Sequence, residues 1–244
     1  DLSGILVSIQ IGKVQTHSHT LLEDSPQKTW TSAIVKTPVQ GRIWVGRENL
    51  EGDEQADLKH HGGPDKAILG YCAEHYDLWK DEIPDRDWLY GGFGENFTIS
   101  GMEDKTVCVG DTFLVGDIIL QISEPRQPCH NLALLWQIKE LPRIVLDNGR
   151  AGWYMRVLQE GFVEAGQKIE RIDHPYPQWN MIDVSYILYH IGDDFDRAER
   201  LYECNLLSEK LRKFIRNAID THRPSPAKAG FTSTVKSFFR KMKP

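Results

Sequence analysis

A series of short stretches that alternate between apolar and polar side chains, separated by glycine turns, runs from the N-terminus to about Asp173. Residues 5–9 have apolar side chains at every second position, and residues 113–122 have the pattern of a hairpin with a tight turn. Residues 154–158 and 168–172 form a further predicted strand pair. Because many short strands at this spacing are typical of closed sheets, we predict a mainly β fold with α elements and a barrel-like β domain.

Two helices are predicted to interrupt this β domain. Residues 73–82 have apolar side chains at helical spacing, and Pro84 ends the helix. Asn131 is a suitable cap for a second helix, which we expect to end near Pro142.

The pattern changes after a proline-bearing linker at residues 173–177. Three stretches then have apolar stripes at helical spacing, which indicates a compact helical domain. These stretches are residues 183–191, 196–204 and 208–218. The predicted organisation is a β-barrel domain at 1–173, a small three-helix domain at 178–222, and a linker with a basic amphipathic tail at 223–244. We expect the tail to dock on the β domain rather than to contact an acidic partner or a membrane surface.

The composition excludes several classes of protein. The 244 residues carry a formal net charge of −6, so no overall basic field favours nucleic acid as a partner. No run of about 18 apolar residues is present, so no integral membrane segment is expected, and residues 1–14 lack the pattern of a secretory signal. Four cysteines without close spacing suit a reducing compartment, and we expect a cytoplasmic protein.

A segment with two histidines and two glycines is a candidate anion site. Gly62 and Gly63 permit a sharp turn whose successive amide groups can bind an anion, and Lys66 adds a positive charge. The imidazoles of His60 and His61 supply further donors. A tight loop between two strands explains the same residues equally well.

A loop stiffened by two prolines, residues 124–131, follows a predicted strand and precedes a predicted helix. Cys129 is thus expected near a helix N-terminus, which favours the thiolate, and Arg126 and His130 are close to it in sequence. A thiolate in this position can bind a soft metal or act as a nucleophile. The alternatives are a buried cysteine that acts as a small apolar side chain, and a zinc site with the neighbouring histidines, for which no familiar spacing is present.

The glycine-rich segment at residues 91–98 permits close approach of the backbone to a ligand. Glu95 and Asn96 offer a carboxylate and an amide that could read a heterocycle, although a hairpin loop is the alternative interpretation. Asp53, in an earlier turn, is interpreted as a structural residue.

Taken in this order, these segments resemble the MOSC domain, and in particular its YiiM-like branch. The three predicted helices after Pro177 are similar to the small helical domain that follows MOSC in this branch. The resemblance implies a β-barrel-like MOSC fold. It covers the β domain and rests on residues 32–36, 50–57, 60–67, 74–76, 93–96, 109–111, 125–129 and 152–154.

The resemblance also implies that a molybdenum cofactor (molybdopterin) binds in a positively charged pocket. Cys129 is the implied thiolate ligand of the metal. The implied residues for binding the pterin and its phosphate are Lys36, His60, His61, Gly62, Gly63, Lys66, Asn96, Arg126, Gln127 and Arg156.

The reaction implied by the resemblance is reduction of N-hydroxylated compounds, such as N-hydroxylated purines, to the amine. Cys129, His61 and Glu95 are the candidate catalytic residues, and either His61 or Glu95 could deliver protons. The sequence has neither clustered cysteines for an iron–sulfur centre nor a G-x-G-x-x-G segment after a strand. We therefore expect a separate electron-donating reductase, a flavoprotein, as a partner.

Two other classes of function stay open at this point. A carrier would use a Cys129 persulfide to transfer sulfur, or would hold the molybdenum cofactor for delivery to another enzyme. An interaction module would use the helical domain and the tail to bind a partner. Analysis of the protein for molybdenum and for persulfide distinguishes the three classes.

Overall fold

The computed structural model describes residues 2–21 and 29–222, and it describes Lys59 and His60 by their backbone alone. The predicted tail at 223–244 lies outside these residues, so its docking stays a prediction. The strands are β1 (Ser3–Ile11), β2 (Gln15–Ser18), β3 (Thr29–Ser32), β4 (Thr37–Pro38), β5 (Ile43–Val45), β6 (Ile68–Cys72), β7 (Phe97–Ser100), β8 (Thr112–Val115), β9 (Ile118–Pro125), β10 (Trp153–Gln159), β11 (Gly161–Val163) and β12 (Lys168–Asp173). The helices are α1 (Leu58–His61), α2 (Glu74–Glu82), α3 (Asn131–Trp136), α4 (Leu141–Asn148), α5 (Met181–Tyr189), α6 (Phe195–Tyr202) and α7 (Glu209–His222), with a 3-10 turn at Pro64–Lys66.

Seven strands close into a barrel in the order β12-β8-β9-β10-β6-β7-β1, and β1 returns to pair with β12. Neighbours in this ring are antiparallel except β6 and β7, which run parallel. A closed ring has no free edges, so the strands satisfy one another's backbone groups. β4 extends β1 outside the ring, and β11 with β5 and β2 with β3 form separate pairs. The predicted fold class, mainly β with α and a barrel-like domain, is confirmed.

The first strand is confirmed, but its apolar residues do not share one face. Leu6 and Ile9 are fully buried, whereas Ile5 is 42% exposed. The pairing of β1 with β7 shifts register between Leu6 and Ser8, which marks a bulge. Because a bulge inserts one residue into one strand, the inward face of β1 passes from even to odd positions.

Of the two predicted strand pairs, one is confirmed and one is wrong. β8 and β9 form the predicted hairpin, with Val115 opposite Ile118. Residues 154–158 and 168–172 do lie in strands, β10 and β12, but these strands do not pair with each other in the described ladders. Instead β10 pairs with β9 and β6, and β12 pairs with β8 and β1. Closure of the barrel, rather than proximity in sequence, selects these partners.

The helix predicted at residues 73–82 is confirmed as α2, which ends before Pro84. The helix predicted from Asn131 to Pro142 is wrong at its end, because it divides into α3 and α4. Gln137 closes α3 with a left-handed φ of 55°. Pro142 lies in the first turn of α4, where a proline is tolerated because its missing amide would have no partner within the helix.

The three helices after the linker share a core with the barrel. Val184, Leu201 and Ile215 belong to the same buried apolar cluster as the barrel residue Trp153. Their bounds lie close to the predicted ones, although α7 continues to His222. The helical segment is therefore packed onto the barrel, and burial of its apolar stripes stabilises both parts.

Of the helices in residues 2–21 and 29–222, none is both long enough and apolar enough to span a membrane. The longest helix described is α7, with 14 residues. A membrane-spanning helix needs about 20 apolar residues.

Gly152 supports a prediction on stability. Its φ is 83°, and a Cβ there would lie 2.5 Å from the carbonyl oxygen of Gly70. We expect Gly152→Ala to lower the free energy of unfolding by about 3 kcal/mol, because backbone strain and steric overlap add. Gly41→Ala is the matched control, since φ there is 76° and no atom lies within 4 Å, so a loss of about 1 kcal/mol is expected. Urea unfolding measures both losses, and equal values would contradict the steric explanation.

Candidate functional site

A cleft of about 230 Å³ brings together half of the predicted site residues. Its walls come from β3 and the loop that follows, from the segment before α1, and from the loop between β9 and α3. Three cationic side chains lie among the residues that line it, together with the carboxylates of Glu54 and Asp57. The predicted residues in the lining are Lys36, His61, Lys66, Asn96, Arg126 and Cys129.

Cys129 is half-buried and lines the cleft, whereas Cys72, Cys108 and Cys204 are buried elsewhere. Burial raises the pKa of the Cys108 thiol to about 12, and it also raises the pKa of the other two buried thiols. Those three therefore stay protonated as packing residues. The helix after Cys129 begins at Asn131 and has six residues, so its dipole contributes less than the sequence suggests.

Arg126 is a buried cation in the wall of the cleft. The residue is 4% exposed, and its Nη2 donates to the carbonyl oxygen of Phe93 at 3.3 Å. Within residues 2–21 and 29–222, no atom accepts a hydrogen bond from its Nη1. Because a buried donor without an acceptor is unfavourable, this side chain fits a ligand that brings an acceptor or a negative charge.

Lys36, Asp53 and Asn96 form one buried network at the cleft. The Asp53 carboxylate accepts hydrogen bonds from Lys36 Nζ at 2.5 Å and from Asn96 Nδ2 at 2.9 Å. It also accepts the amide of Gly12 at 2.7 Å, while Asn96 Oδ1 accepts the amide of Leu69 at 3.1 Å. Burial lowers the pKa of Lys36, and the charge of Asp53 opposes this effect. Asp53 thus positions two of the predicted cofactor-binding residues.

Tyr154 is a site residue that the sequence analysis missed. It is 7% exposed and lines the cleft, and its hydroxyl oxygen lies 3.5 Å from Nδ1 of His61. The Lys66 ammonium lies 4.8 Å from the centre of the Tyr154 ring and 2.8 Å from the Glu124 carboxylate. Burial raises the pKa of Tyr154, so its phenol keeps its proton at neutral pH. Tyr154 could have been identified from the sequence, because it belongs to residues 152–154, one of the segments that carry the family resemblance.

Glu95 does not line the cleft, which corrects the expectation that it could deliver protons there. The residue is fully buried. Its carboxylate accepts hydrogen bonds from the Tyr76 hydroxyl at 2.6 Å and from the amides of Gly91 and Phe93 at 2.7 and 3.1 Å. Burial raises its pKa. Glu95 therefore folds the glycine-rich loop, and through it positions the wall residues Phe93 and Gly94.

Arg156 also lies outside the cleft, and this placement does not support a role in binding a cofactor. Its Nε donates to Asp65 at 2.8 Å. Its Nη1 donates to Gln121 and to the carbonyl oxygen of Leu206, both at 2.9 Å. The side chain links β10 to the loop before α7, a long-range contact that the sequence pattern does not reveal.

The remaining predicted residues shape the cleft or lie away from it. Gly63 has a φ of 95°, and a Cβ on Gly62 would lie 2.9 Å from Leu58 Cα, so the loop requires both glycines. Gln127 is exposed and is not part of the lining described. The side chain of His60 lies outside the described residues.

A second group of possible metal ligands lies outside the cleft, where Cys108, Asp111 and His174 bring their ligand atoms within 4.8 Å of one another. Asp111 is paired with His174 at 2.5 Å and with Arg171 at 3.3 Å, and the Cys108 thiol donates to the carbonyl oxygen of Pro177 at 3.6 Å. The Arg171 guanidinium already balances the charge of Asp111, and the Cys108 thiol stays protonated. We therefore interpret this group as hydrogen bonds that attach the linker to the barrel, not as a metal site.

Comparison with known proteins gives matches over most of the chain. The MOSC domain family matches residues 57–170. YflK of Bacillus subtilis (strain 168) is 39% identical over 85% of this chain and 90% of YflK. The crystal structure of YiiM from Geobacillus stearothermophilus superposes with a TM-score of 0.72 and 31% identity, over 88% of this chain and 98% of that chain. A protein named Reductase from Gibberella moniliformis (strain M3125 / FGSC 7600) is 33% identical over 76% of this chain but 32% of that protein.

The buried network at the cleft predicts a large effect on stability. We expect Asp53→Ala to lower the free energy of unfolding by about 3–5 kcal/mol, because it leaves the Lys36 ammonium, with a side chain 7% exposed, without its counter-charge. Asp147→Ala, which removes an exposed partner of Arg143, is the control and should change the stability little. Urea unfolding compares them. A loss for Asp53→Ala as small as that of the control would contradict the network.

Proposed function

This chain belongs to the MOSC-domain family, in its YiiM-like branch, and from that premise we propose that it binds a molybdenum cofactor and reduces N-hydroxylated compounds to amines. The observation that carries the proposal is the pairing, in one cleft, of a half-buried thiol with a buried guanidinium that has a donor to spare. These groups belong to Cys129 and Arg126.

The chemistry of the donor set fits this cofactor. The Cys129 sulfur is a soft ligand of the kind that binds molybdenum, and the Arg126 Nη1 and the Lys66 ammonium suit the anionic groups of a phosphorylated pterin. Lys36 adds positive charge deeper in the wall, although Asp53 balances much of it. When bound, the cofactor supplies a Lewis-acidic metal and the two electrons of the reduction.

Reduction of an N–OH group breaks the N–O bond, and it consumes two electrons and two protons for each amine and water formed. Tyr154 and His61 are the residues of the cleft that we propose hold the protons. The Tyr154 phenol carries a proton at the cleft, and its oxygen lies 3.5 Å from Nδ1 of His61, which we propose replaces that proton after transfer. Of the two donors considered from the sequence, His61 is retained and Glu95 is not.

We propose that the electrons come from a separate flavoprotein reductase. The four cysteines of the chain are too dispersed to ligate an iron–sulfur cluster among themselves in a familiar spacing. The name of the fungal relative supports a reductive reaction, and most of that protein's length lies outside the match. We propose N-hydroxylated purines, such as 6-hydroxylaminopurine, as the substrate class.

A sulfur or cofactor carrier is the second candidate function. The partial exposure of Cys129 favours it, because a persulfide on that sulfur would be reachable from the cleft. In a carrier the cysteine would hold sulfur without any turnover of an N-hydroxylated base.

Cys129→Ser tests both candidate functions. We expect the purified variant to lose bound molybdenum and to lose reduction of 6-hydroxylaminopurine with an artificial electron donor, because a hydroxyl is a poor ligand for a soft metal. Elemental analysis and product assay are the measurements. Cys108→Ser is the matched control, since that residue lies outside the cleft and a serine hydroxyl can still donate to Pro177.

The result for each variant separates the alternatives. Retention of both metal and activity in Cys129→Ser would exclude the ligand role. Wild-type protein that carries persulfide on Cys129, holds no molybdenum and reduces no N-hydroxylated base would favour the carrier.

Tyr154→Phe tests the proton source. We expect kcat for 6-hydroxylaminopurine to fall about 100-fold with unchanged molybdenum content, because the ring stays and the hydroxyl that would donate the proton is lost. Tyr186→Phe, at a residue 54% exposed on α5, is the control. An unchanged kcat in Tyr154→Phe would exclude the phenol as the donor and leave His61 to act alone.

A further inference from the structure

A chain of polar contacts connects the cleft to the helical segment. The Lys66 ammonium, in the cleft, pairs with Oε1 of Glu124 at 2.8 Å. The other oxygen of the same carboxylate accepts a short hydrogen bond from the Ser208 hydroxyl. Glu124 is 4% exposed and Ser208 1% exposed, so solvent does not replace either contact.

A second connection runs beside the first. Asp65, next to Lys66 in sequence, pairs with Arg156 at 2.8 Å, and Arg156 donates to the carbonyl oxygen of Leu206 at 2.9 Å. Asp65 also accepts the amide of Glu209 at 3.4 Å. Asp65 and Lys66, adjacent in the 3-10 turn, are therefore connected to Leu206, Ser208 and Glu209 at the start of α7.

The Ser208 hydroxyl is both a hydrogen-bond acceptor and a hydrogen-bond donor. Its oxygen accepts the amide of Leu211 at 3.2 Å, which caps the start of α7, while its hydrogen is donated to Glu124. The backbone amide of Ser208 donates to Ser123 at 3.0 Å, so the position is fixed against β9. The first turn of α7 is thus held in register with the strand that leads to the cysteine loop.

We propose that the helical segment positions the Lys66 ammonium in the cleft through Ser208 and Glu124, which makes Ser208 a positioning residue for anion binding. The contacts of Lys66 are independent of the proposed reaction, whereas their effect on binding of the cofactor rests on the proposed function. Without the hydroxyl, one buried oxygen of Glu124 has lost its donor, and the carboxylate can rotate away from the lysine.

The direct test is the reactivity of the Lys66 amine toward acetic anhydride, measured by peptide mass spectrometry on the full-length chain. We expect Ser208→Ala to increase the rate of Lys66 acetylation about three- to tenfold, the effect of losing one buried hydrogen bond. Ser208→Gly should do the same with little loss of helix capping, so the test survives if the alanine variant folds poorly. Ser208→Thr, which keeps a hydroxyl, should restore the wild-type rate.

Asp194→Ala is the matched control, because the Asp194 side chain caps α6 by accepting the amide of Arg197 at 3.0 Å. It weakens the same helical segment without touching Glu124. An equal increase in Lys66 acetylation in Asp194→Ala would mean general loosening and would overturn the proposal. An unchanged rate in Ser208→Gly would overturn it as well.

A second measurement separates this inference from the proposed function. Molybdenum and pterin content is compared in wild type, Ser208→Gly and Asp194→Ala, and we expect a lower content in Ser208→Gly alone. If acetylation responds as expected but wild type holds neither molybdenum nor pterin, the positioning role stands and the proposed function fails. If wild type holds the cofactor and Lys66 acetylation is the same in all variants, the positioning role fails instead.

Discussion

Pairing of β1 with β12 is the contact on which the rest of the structure depends. It joins the two ends of a seven-stranded sheet, and a closed ring fixes the position of every loop around it. The end of β1 then leads directly to Gly12, whose amide fixes the Asp53 carboxylate, and Asp53 holds Lys36 and Asn96. The pairing of two strands that are distant in sequence thus fixes the geometry of a buried polar network.

The cleft of this acidic chain has three cations among its lining residues, alongside the carboxylates of Glu54 and Asp57. Each of its three cations is balanced differently within the described residues: Lys36 by the carboxylate of Asp53, Lys66 by Glu124 and an aromatic ring, and Arg126 by the carbonyl oxygen of Phe93. Arg126 has the least compensation and would gain most from an anionic ligand, because burial of a cation is costly without an acceptor. The proposed binding of an anionic cofactor rests on this difference in compensation rather than on the net charge.

The helical segment is part of the same structural unit as the barrel. Its apolar stripes complete the barrel's core, and the loop before α7 carries polar contacts that reach the 3-10 turn at Pro64–Lys66. The helical segment buries apolar side chains against the barrel and also contacts the 3-10 turn beside the cleft. Its packing therefore couples the stability of the fold to the geometry of the site. Glu124 is central to this coupling, because its two oxygens serve the cleft and the helix at once.

The sequence by itself indicated five of the barrel strands (β1, β8, β9, β10 and β12), helix α2, the three helices after the linker, the barrel-like class, and the loop that carries Cys129, since periodicity, prolines and glycines act over a few residues. The barrel strands β6 and β7 were not predicted. The sequence could not determine the partner of β12, the division of α3 from α4, or the bulge in β1, because each depends on closure and packing at long range. In the site, local motifs indicated His61, Lys66, Asn96, Arg126 and Cys129, and the family resemblance added Lys36. Only the tertiary structure removed Glu95 and Arg156 and added Tyr154, because the direction of a side chain and the partners it meets are set by residues far away in the chain.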